Sequence, residues 1–423
     1  MEFEPSEYQE LLRATTRSSS KPSAQSLPGR TPREADVVPT ADPTEHDCAE
    51  RFRAELAGWL DANFTPQVAD EVRDRNSLSS LPARRRWNAA LVDAGYGAIS
   101  WPVDHGGRGA GILEQIVWYE EMARVNAPGP VNIIGVANIA PAIMTCGTPD
   151  QQQRFLTPML RGDEIWCQGM SEPDAGSDLA SLRCTAVDHG DHFVVNGSKT
   201  WNSLGDRADW CQLFVRTDPT AERHQGISCL LVDMTTPGIE ARPIRTMSGE
   251  VGFAELFFTD VVVPANAVLG DLGGGWAVAT RTLSAERAGV AGLYLGLRAT
   301  FDHLLAEASE PGADGCRAVD RPVARNALAT RYSEARILEF LAKRMLGSML
   351  RGGFPGAEGS VVKLAWAQSS QAMACTAIDV LGTAALESPW ARGLSASRAL
   401  SIAGGTTEVN KNIVGERVLG LPR

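Results

Sequence analysis

Along the 423 residues the spacing of apolar positions changes period twice. From Glu50 to about Trp166 apolar residues recur at three- and four-residue intervals, as in FRAELAGWLDANF and ILEQIVWYEEMARV, which predicts amphipathic helices. Between about Gln168 and Leu272 the period falls to two. HFVVNGSKTW, WCQLFVRT, ISCLLVDM and AELFFTDVVV read as short strands separated by Gly, Asn, Asp and Pro. From Gly275 helical periodicity returns in longer segments, among them VVKLAWAQSSQAMACTAIDVLG and TEVNKNIVGERVLG, and four such helices can close a bundle. Residues 1 to about 46 are rich in Ser, Thr, Pro and Arg and lack apolar periodicity, so they bury too little to offset their ordering entropy. The pattern predicts an α+β chain: a disordered tail over 1–46, a helical domain over 47–166, an antiparallel β-barrel domain over 167–274 and a C-terminal four-helix bundle over 275–423.

Composition narrows the function classes. With 43% hydrophobic and 22% charged residues the chain has ordinary soluble composition, and no run approaches the ~18 uninterrupted apolar residues of a membrane span. A net charge of −11 without a basic stripe opposes nucleic-acid binding. The eight cysteines are scattered with no C-x-x-C, which predicts reduced thiols in a cytoplasmic protein and no zinc site. His189 and His192 fall in the turn-like HGDH and read as a hairpin connection. The acidic residues Glu2, Glu4, Glu7 and Glu10 argue against a transit peptide.

The stretch Gly169-Met170-Ser171-Glu172-Pro173-Asp174-Ala175-Gly176-Ser177-Asp178 carries the most specific chemistry. Pro173 and Gly176 bend the backbone, and Ser171 and Ser177 place hydroxyls beside main-chain N–H groups. Composition alone would also suit a surface turn, so the order of the residues decides. That order resembles the Ser/Thr-Glu-x-x-x-Gly-Ser-Asp signature of the acyl-CoA dehydrogenase family of flavoproteins, and the helical, β, helical order over residues 47 to 423 resembles that family's architecture. The resemblance implies FAD, lying between the β domain and the C-terminal bundle. It places Gln168, Met170 and Ser171 along the flavin, and Ser177 near the cofactor and the pantetheine arm of the substrate. A second motif, GSKTWNSLG, resembles Gly-x-Lys-x-Trp-Ile-Thr-Asn-Gly, which implies Trp201 against the flavin ring and Ser203 close to its hydride-accepting nitrogen. Asn202 stands where Ile is usual and Ser203 where Thr is usual. SWPVDHGGRGAG also has a family counterpart; with no buried strand before it and no Lys-Ser/Thr after it, a plain turn is expected rather than a phosphate cradle.

Dehydrogenating a saturated acyl thioester needs a base for the α-proton, an acceptor for the β-hydride and donors for the developing enolate. No side chain accepts hydride, so a flavin is required. Many family members take their base from a Tyr-Glu-Gly-Thr segment, but SIAGGTTEVNKNIVGERVLG puts Gly404 in place of that Glu. The resemblance leaves Thr406 and Glu408 to contact the cofactor. It also leaves the Gly404 N–H to polarise the thioester carbonyl together with a flavin ribityl hydroxyl. TLSAERAGVAG resembles the branched-chain and long-chain branches, whose base is the Glu of this Glu-Arg pair, here Glu286, and whose Arg, here Arg287, contacts pantetheine. Glu-Arg adjacency is by itself a common surface pattern. The flanking Leu283, Ala285, Ala288, Val290, Ala291 and Leu293 are small or apolar, however, which predicts an apolar setting and a raised carboxylate pKa.

Two family motifs are missing. The Arg-x-x-Phe-Gly segment that reaches a neighbouring subunit's flavin pyrophosphate is replaced by GCRAVDRPVARNALA, leaving Arg317 or Arg321 as substitutes, and Asp379-Val380-Leu381-Gly382-Thr383 stands where Gln-x-x-Gly-Gly is usual. These departures resemble actinobacterial members that pair two different subunits, some of them degrading steroid side chains. The expected activity is FAD-dependent α,β-dehydrogenation of an acyl-CoA by a homo- or hetero-oligomer, a dimer or tetramer, that passes electrons to an electron-transfer flavoprotein. The apolar faces of VVKLAWA and IDVLGTAAL are the expected subunit interface. The rival readings are a non-catalytic partner subunit, a flavin oxidase, and a tailoring dehydrogenase acting on a carrier-protein thioester.

Overall fold

The structure, a computed structural model, describes residues 43–73, 78–288, 292–312, 315–350 and 357–422. The chain divides into Met1–Asp47 and Cys48–Arg423. Of the first unit only residues 43–47 are described, and they are helical, so the expected tail over 1–46 is corrected at 43–46, while 1–42 lie outside the described residues.

Among the described residues six α-helices precede the sheet: α1 (Pro43–Asn63), α2 (Pro66–Glu71), α3 (Leu81–Asp93), α4 (Ile112–Arg124), α5 (Ala140–Cys146) and α6 (Pro149–Arg161). Thr65 and Thr148 start α2 and α6 by accepting from Val68 N and Gln151 N, each with proline in the first turn, where its missing N–H costs nothing. The three- and four-residue spacing of the sequence becomes one core of Leu56, Leu60, Trp87, Leu91, Trp118 and Met122. Buried Asn132 ties this region to the sheet. Its Nδ2 donates to the carbonyls of Met159 (3.1 Å) and Glu164 (2.9 Å), and its Oδ1 accepts from Trp166 N (2.9 Å). In the glycine-rich stretch after Trp101, the Gly107 and Gly109 N–H groups donate to the Pro102 and Trp101 carbonyls. A Cβ at Gly107 would lie 2.1 Å from the Trp101 oxygen, so the glycine serves a tight turn whose amides are used internally.

The seven strands are β1 (Trp166–Gly169), β2 (Thr185–Asp188), β3 (His192–Ser203), β4 (Trp210–Arg216), β5 (Ile227–Asp233), β6 (Ile239–Arg245) and β7 (Val251–Pro264). They form one curled sheet in the order β1-β4-β2-β3-β7-β6, with β5 on β4. Most pairings are antiparallel, but β1 and β2 each pair with β4 in parallel, so the sheet is mixed. A two-residue period places side chains on faces and says nothing of strand direction, which is why the sequence did not reveal this. β4 is buried on both faces: Cys211, Leu213 and Val215 point into the sheet's own core, while Phe214 joins helical residues on the other side.

The helices after the sheet divide their work. α7 (Gly275–Ala288) packs Val278 and Ala279 against Phe214, Cys229, Ile139 and Ile143, so it leans on the sheet. The bundle core comes instead from α8 (Leu293–Ser309), α9 (Pro322–Leu350), α10 (Glu358–Leu381) and α11 (Pro389–Ser397), meeting through Leu297, Phe301, Leu338, Met345, Ala377 and Trp390. α12 (Thr407–Ile413) follows. Within the runs expected to form a subunit interface, Val362, Ala367, Val380 and Ala385 are buried in this chain, whereas Leu386 is exposed. Apolar residues left exposed in this half include Val323, Ile337 and Phe340 on α9, and Ile402, Leu419 and Leu421 further along the chain.

Candidate active site

β3 ends in an irregularity. Its register against β7 shifts between Lys199 and Asn202, and the extra backbone is absorbed at Trp201, which takes φ +61°, a conformation costly for a bulky residue. The indole is 58% exposed, set edge-on to Phe253 at 6.0 Å, so an aromatic face is presented outward from a strained bulge. Asn202 points the opposite way. It is buried, its Nδ2 donates to the Gln168 carbonyl at 2.6 Å, and its Oδ1 has no partner among the described residues. Ser203 follows, half-buried.

The loop 169–178 is fastened to this strand end. Glu172 and Ala175 exchange both backbone hydrogen bonds, at 3.0 and 3.1 Å, making a tight turn around Pro173 and Asp174. The buried Glu172 carboxylate accepts from Arg183 N (2.6 Å), Cys184 N (2.8 Å) and the ammonium of Lys199 (2.7 Å). Lys199 is fully buried and donates also to the Met170 carbonyl at 3.2 Å, while Thr200 N donates to the Ser171 carbonyl at 2.8 Å. The adjoining Cys184 thiol is pushed up to about 12 by burial, so it is an inert core group. The geometry thus brings Gln168, Met170 and Ser171 against the β3 end that carries Trp201 and Ser203, whereas Ser177 is exposed at the loop's far side.

The second group of candidates lies after the bundle. Gly404 and Gly405 take φ +65° and +85°, and no described residue accepts from the Gly404 N–H. The Thr406 hydroxyl oxygen accepts from Val409 N (3.2 Å) and caps α12, and Glu408 is exposed in the first turn. Two residues the sequence reading missed hold this turn. Buried Lys363 donates to the carbonyls of Leu400 (2.9 Å) and Gly405 (2.8 Å), and buried Asn410 donates to those of Gly405 (2.8 Å) and Thr406 (3.0 Å). A lysine in the middle of the apolar run VVKLAWA was the available signal. Among the described residues no hydrogen bond joins the segment 401–410 to the loop 169–178 or to Trp201.

Glu286 and Arg287 sit in the last turn of α7, and their side chains lie outside the described residues, as do Val290 and Ala291 altogether. Arg317 and Arg321, the expected substitutes for the missing cross-subunit arginine, are both engaged within this chain. Arg317 pairs with Asp320 at 2.9 Å, and Arg321 donates to the Val380 carbonyl.

Sequence profiles place the chain in a known family. It matches the acyl-CoA dehydrogenase N-terminal domain over residues 46–163, the middle domain over 167–261 and the C-terminal domain over 273–419. The acyl-CoA dehydrogenase IpdE1 of Mycolicibacterium smegmatis is 38% identical over 398 residues, covering 88% of this chain and 98% of that protein. Among solved structures, the Tcur3481-Tcur3483 steroid ACAD superposes with a TM-score of 0.78 at 29% identity, covering 89% of this chain and 98% of that one. The ChsE4-ChsE5 complex from Mycobacterium tuberculosis gives 0.77 at 32% identity, with 91% and 99% covered. The chain belongs to the acyl-CoA dehydrogenase family, whose members are FAD-dependent oxidoreductases acting on acyl-CoA thioesters. Among the described residues no helix is long and apolar enough to cross a membrane.

Proposed function

We propose that this chain is the catalytic subunit of a hetero-oligomeric acyl-CoA dehydrogenase, that Glu286 takes the α-proton of the acyl thioester, and that an electron-transfer flavoprotein receives the electrons. The observation that carries the reading is Trp201, held at positive φ with its ring exposed, two residues before Ser203 on the same strand end. An exposed aromatic face flanked by hydroxyls and main-chain donors suits a planar heteroaromatic ligand, so the residues present fit FAD. When bound, FAD supplies the acceptor for the β-hydride. Gln168, Met170 and Ser171 line the same cofactor from the loop, with Thr406 and Glu408 contacting it from the C-terminal segment. The free N–H of Gly404 donates to the thioester carbonyl and stabilises the negative charge that develops there. Glu286 removes the α-proton as a carboxylate and holds it as the acid; loss of that proton and of the β-hydride leaves the α,β double bond. Ser177 and Arg287 hold the pantetheine arm.

The hetero-oligomeric part rests on two observations. Val323, Ile337 and Phe340 leave an apolar stripe exposed on α9, and the solved structures reported above are the Tcur3481-Tcur3483 steroid ACAD and the ChsE4-ChsE5 complex, each named for two chains. The absence of disulfides among the described cysteines supports a cytoplasmic setting. A second reading is favoured by Arg317 and Arg321: with both engaged inside the chain, neither is offered to a neighbour's cofactor, as in a non-catalytic partner subunit. One experiment separates them. The protein is purified alone and after co-expression with a homologous chain, its flavin spectrum recorded, and the complex titrated anaerobically with acyl-CoAs that include steroid-derived thioesters. Bleaching that is abolished by replacing Glu286 in this chain supports catalysis here, and bleaching that persists assigns it to the partner. Peroxide release in air would identify an oxidase.

A further inference from the structure

We propose that Gln212 and Thr282 form a buried polar key that fixes the rotation of α7 against the sheet and so positions Glu286, an inference that rests on the reading of Glu286 as the base. Gln212 stands in β4 among Cys211, Leu213 and Phe214, all buried, and is itself fully buried; Thr282, on α7, is fully buried as well. Their side chains meet across the junction of sheet and helix. The Gln212 amide donates to the Thr282 hydroxyl oxygen at 3.1 Å, and that hydroxyl donates to the Val278 carbonyl at 3.1 Å. The seam continues toward the cofactor-facing strands. Gln168 is the in-register neighbour of Gln212 on β1, its amide 3.5 Å from the Gln212 carbonyl oxygen, and the Gln168 main-chain oxygen receives the Asn202 amide.

Apolar contact sets how closely a helix lies on a sheet but tolerates small rotations about the helix axis, because dispersion is non-directional. A hydrogen bond between two groups shut off from water is directional and costly to leave unmade. Turning α7 away from Gln212 would leave the buried Gln212 amide without its acceptor, while the Thr282 hydroxyl would keep only its bond to the Val278 carbonyl on its own helix. Glu286 lies four residues beyond Thr282 in the backbone of the same helix, one turn on, so the rotation that satisfies Thr282 also sets where the Glu286 backbone stands. Small errors in that placement matter, since misplacing a reacting group by about 1 Å can cost on the order of 10²-fold in rate.

The test uses the flavin-loaded protein, with its partner chain where that is needed for loading. Four variants are compared with the parent: Thr282→Val, Thr282→Ser, the double change Gln212→Met with Thr282→Val, and Glu286→Gln. Three quantities are read: the melting temperature, hydrogen exchange of the 275–288 amides, and the rate and pH profile of anaerobic flavin bleaching by acyl-CoA. Thr282→Val is expected to speed exchange in 275–288 and slow bleaching about 10²-fold at saturating substrate with flavin content unchanged, and Thr282→Ser to restore both. The double variant removes both polar partners and is expected to recover most of the melting temperature while bleaching stays slow. If bleaching instead follows the melting temperature through the series, or if Thr282→Val bleaches as the parent does while Glu286→Gln is slow, the positioning role is overturned and the base stands. Parent-like bleaching in Glu286→Gln overturns the base itself and, with it, the purpose assigned to the key.

Discussion

Two buried lysines hold the two halves of the site, and they do so differently. Lys199 clamps the loop 169–178 by pairing with the Glu172 carboxylate and the Met170 carbonyl. Lys363 clamps the turn 401–406 through the carbonyls of Leu400 and Gly405. The first clamp joins opposite full charges inside the sheet core, and Glu172 is further tied to two backbone N–H groups, so loop and strand move as one body. The second sets an ammonium against main-chain dipoles beside two glycines at positive φ, a turn that other backbone routes could replace. The β half is thus held by a charged pair, and the C-terminal half by contacts between an ammonium and main-chain carbonyls alone.

That contrast can be broken in order of severity. Lys199→Met leaves the Glu172 carboxylate buried without its ammonium, and removing one partner of such a pair costs on the order of 3–5 kcal/mol. A strong fall in melting temperature with loss of flavin is expected, and the double change with Glu172→Gln should be milder than Lys199→Met alone. Lys363→Met leaves two carbonyls short of a donor, a cost of roughly 1–3 kcal/mol. Its expected signature is faster amide exchange confined to residues 401–413 with the sheet unaffected, and a uniform loss of protection would make the two clamps equivalent. Trp201→Gly removes an exposed ring and relieves the positive φ, so stability should stay within about 1 kcal/mol while flavin dissociates more readily. The smallest effect concerns thiols. Burial pushes Cys184 up to about 12 and raises Cys229, and the hydrogen bond with Cys211 together with burial raises Cys167, so a thiol reagent at neutral pH should label exposed Cys48, Cys316 and Cys375 and reach the sheet cysteines only after unfolding.

The fold was legible in the sequence because it is written in periods: the switch from helical spacing to alternation and back locates the sheet between Trp166 and Pro264. The loop around Glu172 was legible because its residue order is rare. The parallel pairing of β1 and β2 with β4 was not, since alternation carries no strand direction, and neither was the separation of α7 from the bundle, since an apolar stripe does not say which partner it meets. Lys363, Gln212 and Thr282 were hidden for a shared reason. Lys363 and Gln212 are polar residues inside apolar runs, Thr282 is one polar residue among several, and the partner of each lies far along the chain, so its meaning exists only once the two segments meet.

The most direct test of the central claim, that this chain abstracts the α-proton with Glu286, is single-turnover bleaching by acyl-CoA of the Glu286→Gln protein, flavin-loaded and assembled as the parent is. Glutamine keeps the shape and the hydrogen-bonding capacity of the side chain and removes only the proton acceptor. The account predicts unchanged flavin binding with bleaching slowed about 10²–10⁴-fold. Rescue by Gly404→Glu is expected to be partial at best, because φ +65° disfavours any residue with a Cβ. Bleaching at the parent's rate in Glu286→Gln would contradict the account and assign proton abstraction to another group.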